Sequence, residues 1–79
     1  MTEQDAIKLA QIRMGDRVEY RDHGAVASGE VCGWTSEHGA STTWPMMLVY
    51  GGWHGPDKRV PLHAVLSRER PGLPGKVSF

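Results

Sequence analysis

Residues 17–24 read Arg-Val-Glu-Tyr-Arg-Asp-His-Gly, and this stretch decides the fold. Charged and apolar side chains alternate along residues 17–21, which is the two-residue period of a β-strand with one buried face. Val18 and Tyr20 fall on the inner face of this strand. The Asp-His-Gly triplet at 22–24 is a turn signal, because glycine tolerates positive φ. The sequence therefore predicts a strand followed by a hairpin turn.

A second strand is predicted over Ala25–Trp34, and glycines interrupt it. Alternation puts Gly29, Val31 and Gly33 on one face and Trp34 on the other. Glycine inside a strand is typical of a bulge, sharp coiling or close backbone approach. Small curled barrels need such positions.

Three further segments complete the predicted sheet. Residues 35–43 are rich in Ser, Thr and Gly without a period, which predicts a loop. The apolar run 44–50 is short enough to favour a buried strand over a helix. A fourth strand is predicted over 58–62, with Pro61 confining it to an edge or a strand end.

The C-terminal part begins with a tight helical turn predicted at 63–66 and a short last strand around 67–69. Residues 71–75 are then two prolines, two glycines and one leucine. This composition interrupts regular secondary structure and predicts a loose tail over 76–79.

An N-terminal helix is predicted over Glu3–Ile12, with Thr2 as its N-cap. A threonine hydroxyl at this position accepts from an early backbone N–H, and acidic residues suit the first turn. Ile7, Ala10 and Met14 recur near helical spacing. We expect them to form the side that lies against the core or a partner subunit, because so short a helix is marginal alone.

Composition limits the chain to one small domain. It has 79 residues, nine basic against nine acidic side chains, and a thin supply of aliphatic residues that three Trp, two Tyr and four Met supplement. One cysteine excludes an internal disulfide and a multi-cysteine zinc site. There is no apolar window long enough for a membrane span, and the polar start does not resemble a secretory signal. A cytoplasmic protein without a membrane partner is expected.

The order of these elements resembles the SH3-like superfamily of small β-barrels, including Tudor and KOW-type modules. The resemblance covers about 14–70. It is carried by the stretches Gly15-Asp16-Arg17-Val18, Gly29-Glu30-Val31-Cys32-Gly33-Trp34 and Arg59-Val60-Pro61-Leu62. It implies a mainly β fold: a five-stranded SH3-like barrel at 14–70, a short N-terminal α-helix at 1–13 and a flexible C-terminal tail at 71–79.

A narrower set of residues is similar to the plasmid-borne, trimethoprim-insensitive type-B dihydrofolate reductases. The set is Met14-Gly15-Asp16-Arg17-Val18, Gly24-Ala25, Gly33-Trp34, His54 and Ala64-Val65-Leu66. This resemblance implies a homotetramer of SH3-like barrels that binds NADPH and dihydrofolate in a shared pore. The family's pore motif Val-Gln-Ile-Tyr falls on Lys58–Pro61, so that Arg59 replaces the glutamine and Pro61 the tyrosine. The resemblance therefore implies the family's fold for this chain. An NADPH- and folate-binding oligomer is an alternative function.

Aromatic and basic residues supply the favoured functional hypothesis, since SH3-like modules hold peptides in aromatic grooves. We expect a small non-enzymatic binding or adaptor module that recognises a protein or peptide through an aromatic groove with a basic rim, with no cofactor and no metal. The aromatic residues that could form the groove are Trp34, Trp44, Trp53, Tyr20 and Tyr50. Tyr20 and Tyr50 have a second interpretation, as fillers of a core short of aliphatic residues. The candidate binding residues are Trp34, Trp53, Tyr20, Lys58, Arg59 and Arg68.

The charge distribution leaves two other hypotheses open. Residues 1–40 carry four basic and seven acidic groups, whereas residues 41–79 carry five basic and two acidic groups. Basic residues on the last two predicted strands, expected to be neighbours or near neighbours, favour a nucleic-acid-binding module, although net neutrality does not. A thin core, a helix that needs a dock and unpaired strand edges motivate a homo-oligomer.

Overall fold

The fold is described by a computed structural model that covers residues 2–38, 43–52, 55–73 and 75–79. No helix in those ranges is long and apolar enough to cross a membrane. A 3-10 helical turn, Leu62–Ala64, precedes the fifth strand. The helix and strands are α1 (Glu3–Gln11), β1 (Arg17–Asp22), β2 (Ala25–His38), β3 (Thr43–Val49), β4 (Lys58–Pro61), β5 (Val65–Glu69) and β6 (Lys76–Ser78).

The strands form one antiparallel sheet in the order β4-β3-β2-β1-β5-β6. The first half of β2 pairs with β1 and its second half pairs with β3, so β2 carries the chain from one half of the sheet to the other. The fold is mainly β with a short N-terminal helix, as predicted. The expected closed barrel of five strands is wrong: there are six strands, and β4 and β6 remain as separate ends of the described sheet.

The sixth strand replaces the expected loose tail. Lys76–Ser78 pairs with β5, and the backbone N–H of Phe79 donates to the carbonyl of Leu66 at 2.9 Å. The Phe79 ring packs against the core. Gly72 and Gly75 have positive φ, and this glycine-containing segment turns the chain back so that β6 pairs with β5.

The hairpin of β1 and β2 follows the sequence prediction. Val18 is fully buried and Tyr20 is 5% exposed, which confirms the inner face. His23 and Gly24 have φ of 49° and 84°, the left-handed pair that a two-residue type I′ turn requires.

A bulge in β2 reverses the predicted orientation of one aromatic residue. Val31 lies opposite Val49 and Trp34 lies opposite the fully buried Met47, with Cys32 as an extra residue between them. Strict alternation places Trp34 on the face away from Val31. The extra residue turns it back, so the ring is half-buried and packs against the core.

The predicted loop at 35–43 is largely strand. Residues 35–38 continue β2 and Thr43 begins β3, and residues 39–42 lie outside the described part of the chain. Ser36 lies opposite Pro45. These residues lie at the far end of a long hairpin. Cross-strand pairing, which does not require a hydrophobic period, orders the backbone there.

Helix α1 begins as predicted but docks through another face. The Thr2 hydroxyl accepts from the backbone N–H of Asp5 at 3.1 Å, which confirms the N-cap. Ile7 is 44% exposed and Met14 is 66% exposed, so the expected docking face is wrong. The buried residue of the helix is Lys8, at 8% exposure.

Lys8 joins α1 to the 3-10 turn. Its ammonium donates to the carbonyls of Leu62 at 3.2 Å and His63 at 3.5 Å, and it lies 5.9 Å from the centre of the Phe79 ring. The carbonyl of Leu62 also accepts from the backbone N–H of Val65 within the turn, so Lys8 adds a charged donor from another element. The lysine stem supplies apolar packing on the way to these carbonyls.

The core is small and largely aliphatic. Leu9, Trp34 and Phe79 pack against it from the side. Its buried members are Ile12, Val18, Tyr20, Val31, Met47, Val49, Val60, Leu62 and Val65.

A buried carboxylate connects the α1–β1 junction to the end of β5. Asp16 is 1% exposed, and it accepts from the backbone N–H of Arg13 at 2.8 Å. The Arg70 guanidinium donates to both of its oxygens at 3.0 Å through Nε and Nη2. The same Nη2 donates to the carbonyl of Gln11 at 3.1 Å, so this pair also anchors the end of α1.

Candidate functional site

A groove opens on the sheet where β1 ends, β3 ends and β4 begins. Its volume is about 430 Å³, within the usual range for small-ligand and peptide clefts, about 300–1,000 Å³. We call it the Tyr20 groove. The residues that line it include Tyr20, Ser28, Val49, Tyr50, Pro56 and Lys58.

The floor of the groove is apolar and aromatic. Tyr20 and Val49 belong to the core, at 5% and 2% exposure, and also line the groove. Tyr20 is therefore a core residue, as one of its two sequence interpretations expects, and its side chain also lines the groove. The ammonium of Lys58 lies 5.8 Å from the centre of the Tyr20 ring, within the distance at which a cation is attracted by the ring face.

One rim of the groove carries an exposed aromatic side chain. Tyr50 follows the last residue of β3 and is 63% exposed, while its backbone N–H donates to the carbonyl of Glu30 at 2.9 Å. The chain then folds back closely: a Cβ on Gly51 would lie 2.4 Å from the carbonyl oxygen of Pro56. Glycine is required at this position for the loop to return beside the groove.

Asp57 fixes that returning loop. Its carboxylate accepts from the backbone N–H of Gly51 at 3.1 Å and from the thiol of Cys32 at 3.3 Å. Partial burial and the neighbouring Asp57 carboxylate raise the pKa of Cys32 above its ordinary value. This cysteine is held as a neutral thiol, the opposite of an activated nucleophile.

Lys58 and Asp22 form an ion pair at the end of the groove nearest the β1–β2 turn. The hydrogen bond between them raises the pKa of Lys58 and lowers the pKa of Asp22. The imidazole Nε2 of His23 lies 3.6 Å from the other Asp22 oxygen. Asp22 therefore remains ionised and Lys58 remains protonated across the neutral range.

The structure divides the candidate binding residues predicted from the sequence. Tyr20 and Lys58 line the groove together. Trp34 is directed to the core by the bulge in β2. Arg59 is exposed, and strand alternation puts it on the face of β4 opposite Lys58. Trp53 lies outside the described residues.

The last candidate, Arg68, lies in another part of the sheet. It is opposite Val18 of β1, and its guanidinium donates to the side chain of Gln11 at 3.2 Å. β3, β2 and β1 separate β4 from β5 in the strand order, so the last two predicted strands are not neighbours in the sheet. The basic rim expected from Lys58, Arg59 and Arg68 is therefore not gathered at the groove.

Two acidic residues at the groove were missed by sequence reasoning, whereas Tyr50 was among the aromatic residues considered for it. Tyr50 is the last residue of the most apolar run and precedes two glycines, so the sequence predicts that its side chain lies at the end of a strand. Asp22 is the last residue of β1 and Asp57 directly precedes β4, so both lie at strand ends next to turns. A local pattern contains no sign that these turns meet, because their approach depends on the long hairpin of β2 and β3.

Comparison of this chain with protein-family models, curated proteins and solved structures finds no match. Within the described ranges, no three histidine, cysteine or acidic side chains cluster to hold a metal ion. Functional assignment therefore depends on the geometry of the groove.

Proposed function

We propose that this chain is a small cytoplasmic binding module that holds an extended segment of a partner protein in the Tyr20 groove, without catalysing a reaction. The observation that carries the proposal is the exposed Tyr50 beside a concave surface of about 430 Å³ with an aromatic floor. Tyrosine is enriched among the residues that contribute most to protein binding, and clefts of this volume are usual binding sites.

The titration behaviour of the groove favours binding over catalysis. Three groups in or beside it have shifted pKa values: Lys58 and Cys32 are raised, and Asp22 is lowered. Every one of these shifts moves away from neutral pH. A general acid or base works best with a pKa near the operating pH, so these three groups are poorly suited to proton transfer.

The strand order supports an SH3-like architecture for this module. The element order on which the resemblance depends, four strands followed by a helical turn and a fifth strand, is that of β1 to β4, the 3-10 turn and β5. β6 is an addition to that plan. The groove is lined by residues of β1, β2, β3 and β4 and of the loop between β3 and β4.

Charge pairing disfavours the nucleic-acid hypothesis. Three cations of the second half of the chain pair with anions of the first half: Lys58 with Asp22, Arg70 with Asp16 and Lys76 with Glu19. These pairs neutralise groups that the sequence asymmetry would assign to a basic patch. Phosphate binding requires cations free to displace counterions.

Selection from a random peptide library displayed on phage tests the proposed function. Tyr50→Ala is compared with Val26→Ala, because both side chains are similarly exposed, at 63% and 62%, and only Tyr50 lines the groove. A peptide selected on the parent protein is expected to bind Tyr50→Ala about tenfold more weakly or worse. Val26→Ala is expected to bind like the parent. Equal affinity for all three proteins, or no enrichment at all, would contradict the proposal.

A further inference from the structure

We infer that the Tyr20 groove receives a lysine or arginine side chain of the partner, and that Lys58 occupies this cation seat in the free protein. The inference deepens the proposed function and rests on it. The cation seat is defined by the ring face of Tyr20 and the carboxylate of Asp22. Lys58 shows that the place accepts an ammonium group, since its nitrogen contacts both.

Two features of the seat are those by which proteins recognise alkylammonium and guanidinium groups. The Tyr20 ring offers the negative face of its π-system at 5.8 Å, and Asp22 offers an ionised oxygen. The remaining lining suits an aliphatic stem: Val49, Tyr50 and Pro56 are apolar side chains along the groove. A basic side chain of a protein matches this combination better than a small inorganic cation does.

Lys58 is a displaceable occupant. It is the first residue of β4, and its side chain is 43% exposed. An exposed ion pair contributes little net stability, because solvent screens it and two side chains lose rotamer freedom. Rotation of the lysine stem into solvent therefore empties the seat at small cost.

The groove becomes acidic once Lys58 leaves. Asp57 lines it and Asp22 is the ion-pair partner of the lining residue Lys58, while Asp57 already has its two oxygens engaged by Gly51 and Cys32. Asp22 is then the carboxylate left without its cation. Charge complementarity thus selects a basic side chain from the partner, and Lys58 competes with it.

Lys58→Met tests this competition, because methionine keeps an unbranched apolar stem and removes the charge. The probe is Nα-acetyl-lysine methylamide, titrated into labelled protein while the backbone amide NMR signals of Tyr20, Asp22 and Tyr50 are followed. If Lys58 fills the seat for about nine-tenths of the time, its removal strengthens apparent binding about tenfold. Lys76→Met is the matched control, since Lys76 forms a similarly exposed ion pair with Glu19 outside the Tyr20 groove.

The expected results are tighter binding by Lys58→Met, parent-like binding by Lys76→Met, and loss of the gain when Asp22→Asn is added. Nα-acetyl-norleucine methylamide, the uncharged analogue, is expected to bind more weakly to Lys58→Met than the lysine probe does. The inference is overturned if Lys58→Met shows no saturable signal change, if it binds no tighter than the parent, or if the uncharged analogue binds equally well. A selected peptide that still depends on Tyr50 would then preserve the proposed function and exclude only the cation seat.

Discussion

At Gly29, the absence of a side chain lets β2 pass directly over the buried Val49. A Cβ built at this position would lie 2.4 Å from Cγ1 of Val49, closer than any relaxed carbon contact. Val49 is 2% exposed and is β-branched, so its side chain has few alternative rotamers. This close approach packs the first half of β2 against the end of β3, next to the Tyr20 groove that Val49 lines.

Gly29→Ala is therefore expected to destabilise the protein by about 1–3 kcal/mol, the usual cost of overpacking a core. Gly33→Ala is the matched control in the same strand, because its Cβ would meet Leu48 at an ordinary 3.6 Å. We expect the control to change the free energy of unfolding by less than about 0.5 kcal/mol. Urea denaturation followed by tryptophan fluorescence measures both, and equal effects would show that the contact with Val49 relaxes freely.

Single residues also show what the sequence could predict. The glycines of β2 mark a bulge or close approach, and both features occur, at Cys32 and at Gly29. The pattern does not say which residue is the bulge, because that depends on the register with β3. The orientation of Trp34 follows from that register, and so a one-residue shift was enough to misplace a candidate binding residue.

At the scale of elements, the bounds of α1 could be predicted because a cap and a run of helix formers are local features. Its docking face could not, since Lys8 is buried only because two carbonyls of the 3-10 turn lie within reach. Hydrophobic periodicity assigns that face to Ile7 instead. The strand β6 was missed for a similar reason: three residues have no period, and their order comes from β5 beside them.

The two assignments of the α1 face make opposite predictions. Lys8→Ala is expected to destabilise the protein by about 1–2 kcal/mol, because it removes the buried lysine stem and the ammonium that donates to the carbonyls of Leu62 and His63. Ile7→Ala is expected to cost less than about 0.5 kcal/mol, since Ile7 is 44% exposed. Hydrogen exchange of α1 amides should become faster in Lys8→Ala and remain unchanged in Ile7→Ala. A larger loss of stability in Ile7→Ala than in Lys8→Ala would show that α1 docks through Ile7, as its periodicity predicts.

At the scale of the whole molecule, folding pairs the acidic first half of the chain with the basic second half. Asp16, Glu19 and Asp22 of β1 and its approach contact Arg70, Lys76 and Lys58 in turn. All three carboxyl groups have lowered pKa values. The acidic and basic halves of the sequence therefore compensate each other through ion pairs within one chain.

This pairing sets how stability depends on acid. For Asp16, burial opposes ionisation, but hydrogen bonds from Arg70 and the backbone N–H of Arg13 outweigh it and lower the pKa. A carboxyl group with a lowered pKa in the folded state binds fewer protons there than in the unfolded chain. Its contribution is complete above the ordinary pKa near 4 and is lost as the pH falls through the lowered value.

Asp16→Asn is expected to lower the free energy of unfolding at pH 6 by about 2 kcal/mol, because Asp16 is 1% exposed and its charge is the partner of Arg70. Between pH 5 and pH 2.5 the variant should lose stability less steeply than the parent, since Asp16 no longer takes up a proton on unfolding. Urea denaturation at a series of pH values measures both curves. Glu30→Gln, which neutralises an exposed carboxylate of β2, is expected to remain parallel to the parent. Parallel curves for Asp16→Asn as well would show that the acid sensitivity comes from Glu19 and Asp22 alone.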